Sequence, residues 1–308
     1  MKEKRFPAGF ILCMLIPLLF MTHGCSLEEY GLEQAFYRIM SVETRANSLT
    51  TLPKENTDLT GTRIDPRYDV LIITDVHFGN ENKGKNGPRR EDEWFEKLQK
   101  GAVGSRIIDK VKFAICLGDV ADHGREEEFK RFKESIEDRL MSITTSMAPD
   151  GIKTYNVVGN HDLYNSGWDA WSRYCTPGTS FYKFETPSFS WYFIDSASGT
   201  LGGYQYDTLN TAMCGDTKDK LVFSHVPIYA DDTLYFTMQN SKEHNLLISL
   251  CAKTGTRMFI DGHTHKNRTS DFGKFTERNI PGFLAKYSYG IFHVDEDAKT
   301  LDLEVVKW

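Results

Sequence analysis

Five short apolar runs constrain this chain more than any other feature, because each ends abruptly in residues able to do chemistry. Val70-Leu71-Ile72-Ile73 stops at Thr74-Asp75, Phe113-Ala114-Ile115-Cys116-Leu117 at Gly118-Asp119, and Tyr155-Asn156-Val157-Val158 at Gly159-Asn160-His161-Asp162. Leu221-Val222-Phe223 stops at Ser224-His225, and Met258-Phe259-Ile260 at Asp261-Gly262-His263. Unbroken apolar runs of this kind suit strands buried on both faces. Helical candidates lie between them. The clearest spans 125–143, where Phe129, Phe132, Ile136 and Leu140 share one face. Glu126 with Lys130 and Glu127 with Arg131 are (i, i+4) pairs on that helix. Its acidic run Glu126-Glu127-Glu128 suits a helix start, where the dipole favours carboxylates. Alternating strand and helix predict an α/β layered fold, with ligands beyond the C-terminal strand ends. Segments 181–184, 189–194, 290–294 and 301–306 read as further strands, the last two a hairpin. They would build a second sheet packed on the first, with helices outside.

The chain has 308 residues, enough for a sizeable core, and a formal charge of −6. That balance argues against broad nucleic-acid binding, which needs a basic face. It leaves room for a small anionic substrate, since a local metal charge outweighs the net charge. Residues 1–24 read as a secretory signal: Lys2, Lys4 and Arg5, then a largely apolar Phe6 to Met21, then Thr22-His23-Gly24 before Cys25. This start resembles a bacterial lipoprotein signal, which implies lipidation of Cys25 and an exported, membrane-anchored protein facing the periplasm or exterior. Gly24 fits that pattern, while Thr22 stands where an apolar residue is usual. An uncleaved anchor helix is the alternative, although the run is short for a span of about 20 residues. Residues 25–66 read as an N-terminal helix (26–46) and a tether rich in Thr, Asn, Asp and Gly, ahead of a main domain at 67–308. Cys116, Cys175, Cys214 and Cys251 allow three full pairings in an oxidising compartment, and Cys116, inside an apolar run, reads as a buried thiol.

Asp75, His77, Asp119, Asn160, His161, His225, His263 and His265 all fall at the strand ends. Imidazoles and carboxylates are ligands for manganese, iron and zinc. Asp75 and His77 are two apart, so an extended backbone would point both to one side. An aspartate such as Asp119 has two oxygens and can bridge two ions. Two cations about 3.5–4 Å apart hold a phosphoryl oxygen and generate hydroxide near neutral pH. Gly-Asn-His-Asp is rare on composition alone, and all the motifs in order are a specific signal.

Asp75-Val76-His77, Gly118-Asp119, Gly159-Asn160-His161-Asp162, His225 and Gly262-His263-Thr264-His265 together resemble the calcineurin-like metallophosphoesterases over about residues 69–295. The resemblance implies a two-sheet αββα sandwich and two divalent ions. Asp75, His77 and His265 would hold one ion, Asn160, His225 and His263 the other, and Asp119 would bridge them. Metal-bound hydroxide would attack phosphorus while His161 protonates the leaving oxygen, with Asp162 orienting its ring. Asp122 stands where purple acid phosphatases carry an iron-binding tyrosine. Asp122-His123-Gly124 and Asp162 replace the Asp-Arg-Gly and Glu of serine/threonine phosphatases. The pattern looks closest to the bacterial branch with class III cyclic-nucleotide phosphodiesterases, a branch that also contains monoesterases and lipid-headgroup hydrolases; the expected substrate is a small phosphate ester, with a phosphodiester as the first reading. A phosphomonoesterase, or a non-catalytic surface-binding lipoprotein, is the alternative.

Other residues carry weaker signals. Arg89 and Arg90 follow a Gly/Asn/Lys-rich loop and read as solvated, with phosphate contact as the alternative. Trp168 and Trp171 read as packing, with a cleft lining as the alternative. His293 reads as structural, His244 as solvent-facing, and His123 as either near the site or on a surface loop.

Overall fold

The computed structural model describes residues 42–55, 58–59, 62–63, 65–80, 90–230, 237–238 and 241–308. The signal segment, Cys25, most of the expected 26–46 helix and Arg89 lie outside the described residues. Strand β4 (Arg67–Ile73) is followed by α2 (Arg90–Leu98), β5 (Val111–Cys116), the helical stretch 126–141 and β6 (Lys153–Asn156). Then come α5 (Trp168–Tyr174), β7 (Tyr182–Glu185), β8 (Phe189–Phe193), α6 (Gly202–Gly215) and β9 (Asp219–Phe223). Helix α7 (Ser241–Lys253) precedes β10 (Thr256–Asp261), β11 (Arg268–Asp271) and β12 (Thr276–Asn279). The chain closes with α8 (Phe283–Lys286), β13 (Ser288–Asp295) and β14 (Thr300–Lys307). Ahead of β4 lie α1 (Val42–Arg45), β1 (Thr50–Thr51), and the small hairpin β2 (Asp58–Leu59) and β3 (Thr62–Arg63). The stretch 126–141 comprises α3 (Glu126–Phe132), a π-turn (Lys133–Glu137) and α4 (Asp138–Met141).

Two mixed sheets stack face to face. One has the order β14-β13-β4-β5-β6, the other β1-β7-β8-β9-β10-β12-β11. Strands β4, β5 and β6 run parallel, as do β8, β9 and β10. Alternation along β4 divides the core. Val70 and Ile72 face Phe113, Trp191, Phe193 and Phe223 between the sheets, while Leu71 and Ile73 pack outward with Trp94, Phe95, Phe129 and Phe132. The outer face of the second sheet, with Tyr192, Val222 and Phe259, meets Leu209, Met213, Leu247 and Leu250 of α6 and α7. This is the αββα sandwich, and Phe129, Phe132, Ile136 and Leu140 form one buried face as their spacing predicts.

The strand arrangement departs from the sequence reading, and β1, β2, β3, β11 and β12 add to the strands it named. The tail hairpin does not join the second sheet. Strand β13 pairs antiparallel with β4, Gly290 against Ile72 and His293 against Asp69, so the tail extends the first sheet. The five apolar runs then divide between the sheets, β4, β5 and β6 in one and β9 and β10 in the other. His293 serves the β13–β4 pairing, its Nδ1 lying 2.7 Å from Asp69 Oδ1. Trp168 and Trp171 stack on each other, with Trp171 buried in the core. All four cysteines from Cys116 onward are free, and Cys116 is buried.

Residues 42–55, the end of the expected helix and the start of the expected tether, pack on the body. Thr50 and Thr51 pair with Tyr182 and Lys183 at the edge of the second sheet. The Arg45 guanidinium donates to both carboxylate oxygens of Asp195, at 2.9 and 3.1 Å, and to Ser198 Oγ. Both ion-pair partners are buried. Removing one partner of such a pair leaves an uncompensated buried charge, at about 3–5 kcal/mol. Arg45→Met is expected to lower unfolding stability by roughly 3 kcal/mol, read from urea denaturation. A loss within error of zero would mean that this N-terminal stretch only decorates the fold.

Candidate metal centre

The loops leaving β4, β5, β6, β9 and β10 converge at one end of the sandwich. Asp75, His77 and His265 each bring a ligand atom within 4.8 Å of the others, and so do Asp119, His225 and His263; a third such group, His77, Asp119 and His161, overlaps both. In the first group His265 Nε2 lies 3.1 Å from Asp75 Oδ1 and 3.2 Å from His77 Nε2. In the second, His225 Nε2 lies 3.2 Å from His263 Nδ1 and 3.0 Å from Asn160 Oδ1. Asp119 Oδ2 sits between the groups, 3.8 Å from His77 Nε2 and 3.3 Å from His225 Nε2.

The donor set suits divalent cations. Two neutral imidazoles can share only one proton, whereas a cation takes a lone pair from each. Asp75 Oδ1 is buried and has no aligned hydrogen-bond donor, despite the nitrogens around it. Burial opposes ionisation of Asp75 and Asp119, but the surrounding imidazoles outweigh it and hold both carboxyls below their ordinary range. Burial depresses His263 to about 4, helped by His225 beside it, so its ring is a lone-pair donor at neutral pH. Burial also opposes a charge on His225, yet Asp119 prevails and raises it to about 9. A buried site that draws a proton this firmly draws a cation for the same reason.

Carbonyls orient the rings. Nδ1–H of His225 donates to Leu117 O at 2.8 Å, which turns Nε2 toward the centre. Nδ1–H of His161 donates to Asp122 O at 2.7 Å, which leaves Nε2 as the nitrogen available for exchange. The Asp122 carboxylate lies 3.0 Å from His77 Nδ1. His123 is buried behind it, with its Nδ1 3.0 Å from Glu128 Oε1. Glu128 also accepts the backbone N–H groups of His123 and Arg125, so it braces the site as well as starting a helix.

Backbone geometry brings the ligands in. Asp75, His77, Asp119, His263 and His265 all have φ between 51° and 65°. The expected extended backbone at Asp75-Val76-His77 is therefore not what aligns those two side chains. A left-handed residue on each side of Val76 does so, a conformation that costs non-glycine residues energy. The approach is close: a Cβ at Gly159 would lie 2.1 Å from Asp119 Oδ1.

Asp162 also departs from expectation. Its carboxylate does not face the His161 ring. Instead Oδ2 accepts the N–H groups of Asp119 and Gly159, and Oδ1 that of Ala121. Asp162 is fully buried and ties the Gly-Asp loop to the Gly-Asn-His-Asp loop; Asp122, through its carbonyl, orients His161. His244 is half-buried, with Nε2 2.7 Å from Ile228 O. Arg90 opens α2, with its guanidinium over the Tyr287 ring and on Leu284 O.

The sequence profile of the calcineurin-like phosphoesterase family matches residues 68–267, more than half of the chain. The chain belongs to this family. It is therefore a metallophosphoesterase, a hydrolase of phosphoric ester bonds with His/Asp metal-binding groups. Among solved structures, a dimetal phosphatase from Danio rerio is 15% identical with a TM-score of 0.57, covering 78% of this chain and 97% of that one. GAP50, the anchor in the inner membrane complex of Plasmodium, is 11% identical with a TM-score of 0.53, covering 78% and 84%. At these identities the likeness is one of fold. No curated protein sequence matches the chain.

One residue the sequence reading missed is Ser196. Its Oγ accepts the backbone N–H groups of His225 and Val226. It follows Phe189–Ile194, an apolar run ending in Asp195-Ser196, so the same signal marked it.

The bracing role of Asp162 has a testable consequence. Asp162→Asn turns an NH2 group toward backbone N–H donors, at a cost of about 1–3 kcal/mol. We expect a lower unfolding midpoint and weaker metal retention, measured by thermal denaturation and elemental analysis. Unchanged stability with an altered pH–rate profile would instead favour the ring-orienting role.

Proposed function

We propose that this family member hydrolyses a phosphodiester at a dinuclear site. Asp75, His77 and His265 would hold one ion, Asn160, His225 and His263 the other, and Asp119 would lie between them. Manganese, iron and zinc all suit these donors. Two such ions supply an activated water and neutralise charge on the phosphoryl oxygens. The residues do the rest. Asp122 O holds His161 in the tautomer that can carry a proton on Nε2 when the ring is charged and give it to the leaving oxygen. Leu117 O holds His225 with Nε2 inward, the nitrogen that would give its lone pair to an ion. The observation that carries this reading is that the Asp75/His77/His265 and Asp119/His225/His263 clusters adjoin through Asp119 and His77, with the His161 ring 4.7 Å from that of His77.

The diester reading rests on Asp122-His123-Gly124 and Asp162, which separate the chain from the tyrosinate-iron and Asp-Arg-Gly patterns. A chromogenic diester and monoester, each assayed with manganese and with chelator, test it. We expect chelator to abolish turnover and the diester to be the better substrate. His161→Ala is expected to lower kcat by about 10²–10⁴ with metal content unchanged. Turnover that survives chelation or loss of His161 would overturn the mechanism, and a dominant monoesterase rate would overturn the substrate class.

The basic start, the apolar run and Gly24-Cys25 support a second proposal, export and lipid anchoring at Cys25. Cys25→Ser is expected to move the protein from the membrane to the soluble fraction, with the mass of the wild-type N-terminus showing cleavage and acylation. A Cys25→Ser protein still held in the membrane would favour the uncleaved anchor.

A further inference from the structure

Strand β12 ends at Asn279, whose register partner on β10 is Asp261. Asn279 is fully buried beneath the Gly262-His263-Thr264-His265 loop. Its Nδ2 donates to the Asp261 carboxyl and to Gly262 O, and its Oδ1 accepts from Thr264 Oγ1. One planar amide thus grips residues 261, 262 and 264, on both sides of His263 and next to His265. Those two ligands serve different clusters, His263 facing His225 and His265 facing Asp75. Both also sit at positive φ, so the loop needs an external hold.

No other side chain of this size supplies the same contacts. An aspartate would set a carboxylate against Asp261, and a leucine would leave the Gly262 carbonyl and Thr264 hydroxyl facing an apolar group. Two residues back on the same side of β12, Glu277 Oε1 accepts the N–H groups of Ile228 and Tyr229, in the segment that follows His225. The strand therefore holds both ligand-bearing loops of the second sheet.

We infer that Asn279 is a positioning residue that sets the His263–His265 loop for both metal ions at once, an inference that rests on the dinuclear reading. Residues that orient metal ligands from behind typically change metal affinity by about 10–100-fold. The test uses the full chain, freed of metal, as wild type, Asn279→Ala and Thr264→Val. Manganese binding is followed by calorimetry and by the paramagnetic resonance signal of the coupled pair, beside the metal-free unfolding midpoint.

Asn279→Ala is expected to weaken both manganese steps by about 10–100-fold and to lose the coupled signal. Thr264→Val removes a single contact at the loop and is expected to give a smaller loss at both steps, with its metal-free unfolding midpoint lowered less than that of Asn279→Ala. Wild-type manganese affinities in Asn279→Ala, whatever its midpoint, would reduce Asn279 to a purely structural role and overturn the inference. So would a loss confined to one step. Should Asn279→Ala fail to fold, Thr264→Val decides, and wild-type affinity in that variant overturns the inference. A wild type that binds no manganese, zinc or iron is a distinct result, and would remove the dinuclear reading itself.

Discussion

The Asp119 carboxylate is buried, and its two oxygens are committed to different neighbours. Oδ1 accepts the His161 backbone N–H at 2.8 Å, while Oδ2 faces His225 and His77. Desolvating a charge in this way is costly unless opposite charge surrounds it. The rest of the site follows from that requirement. Strand β5 delivers the residue, and Gly118 and Gly159 let the two loops meet around it. Asp162 ties those loops together from below. The imidazoles that compensate Asp119 come from both sheets, so the ionic centre and the sandwich interface are built from the same strands.

Much of this was legible in the sequence because strand ends carry their chemistry locally. The runs leading to Asp75, Asp119, Asn160, His225 and His263 are strands that end two to four residues before them, and those residues do converge. The strand order was not legible, because a buried apolar run reads the same in either sheet. The tail hairpin shows this: nothing in Gly290–Val294 says that β13 lies beside β4. Long-range pairs were equally silent. Arg45 lies in a segment without a strong pattern, and its partner Asp195 is 150 positions away. Adjacency misled at Asp162, which is next to His161 in sequence yet turns its carboxylate to the backbone of another loop.

Asp122 shows how a departure from a family pattern can carry structure of its own. At sequence level it marks only what is missing, a tyrosine for iron. In the fold its side chain stands at His77 Nδ1 and its carbonyl at His161 Nδ1. One residue thus orients the ring proposed to move the proton and places a carboxylate beside a ring of the metal cluster. His123 and Glu128 continue inward from it, which explains why an acid in the first turn of a helix is buried.

The left-handed backbone at five of the proposed ligand positions reaches beyond the chemistry. Those residues are held in conformations that glycine would occupy at lower cost. Substitution by glycine there would discard a proposed metal ligand while relaxing the main chain, so backbone strain and the proposed function pull the same positions in opposite directions. A descendant of this chain released from catalysis would have something to gain by abandoning its aspartates and histidines first, well before its core began to drift. The fold would then outlast the activity.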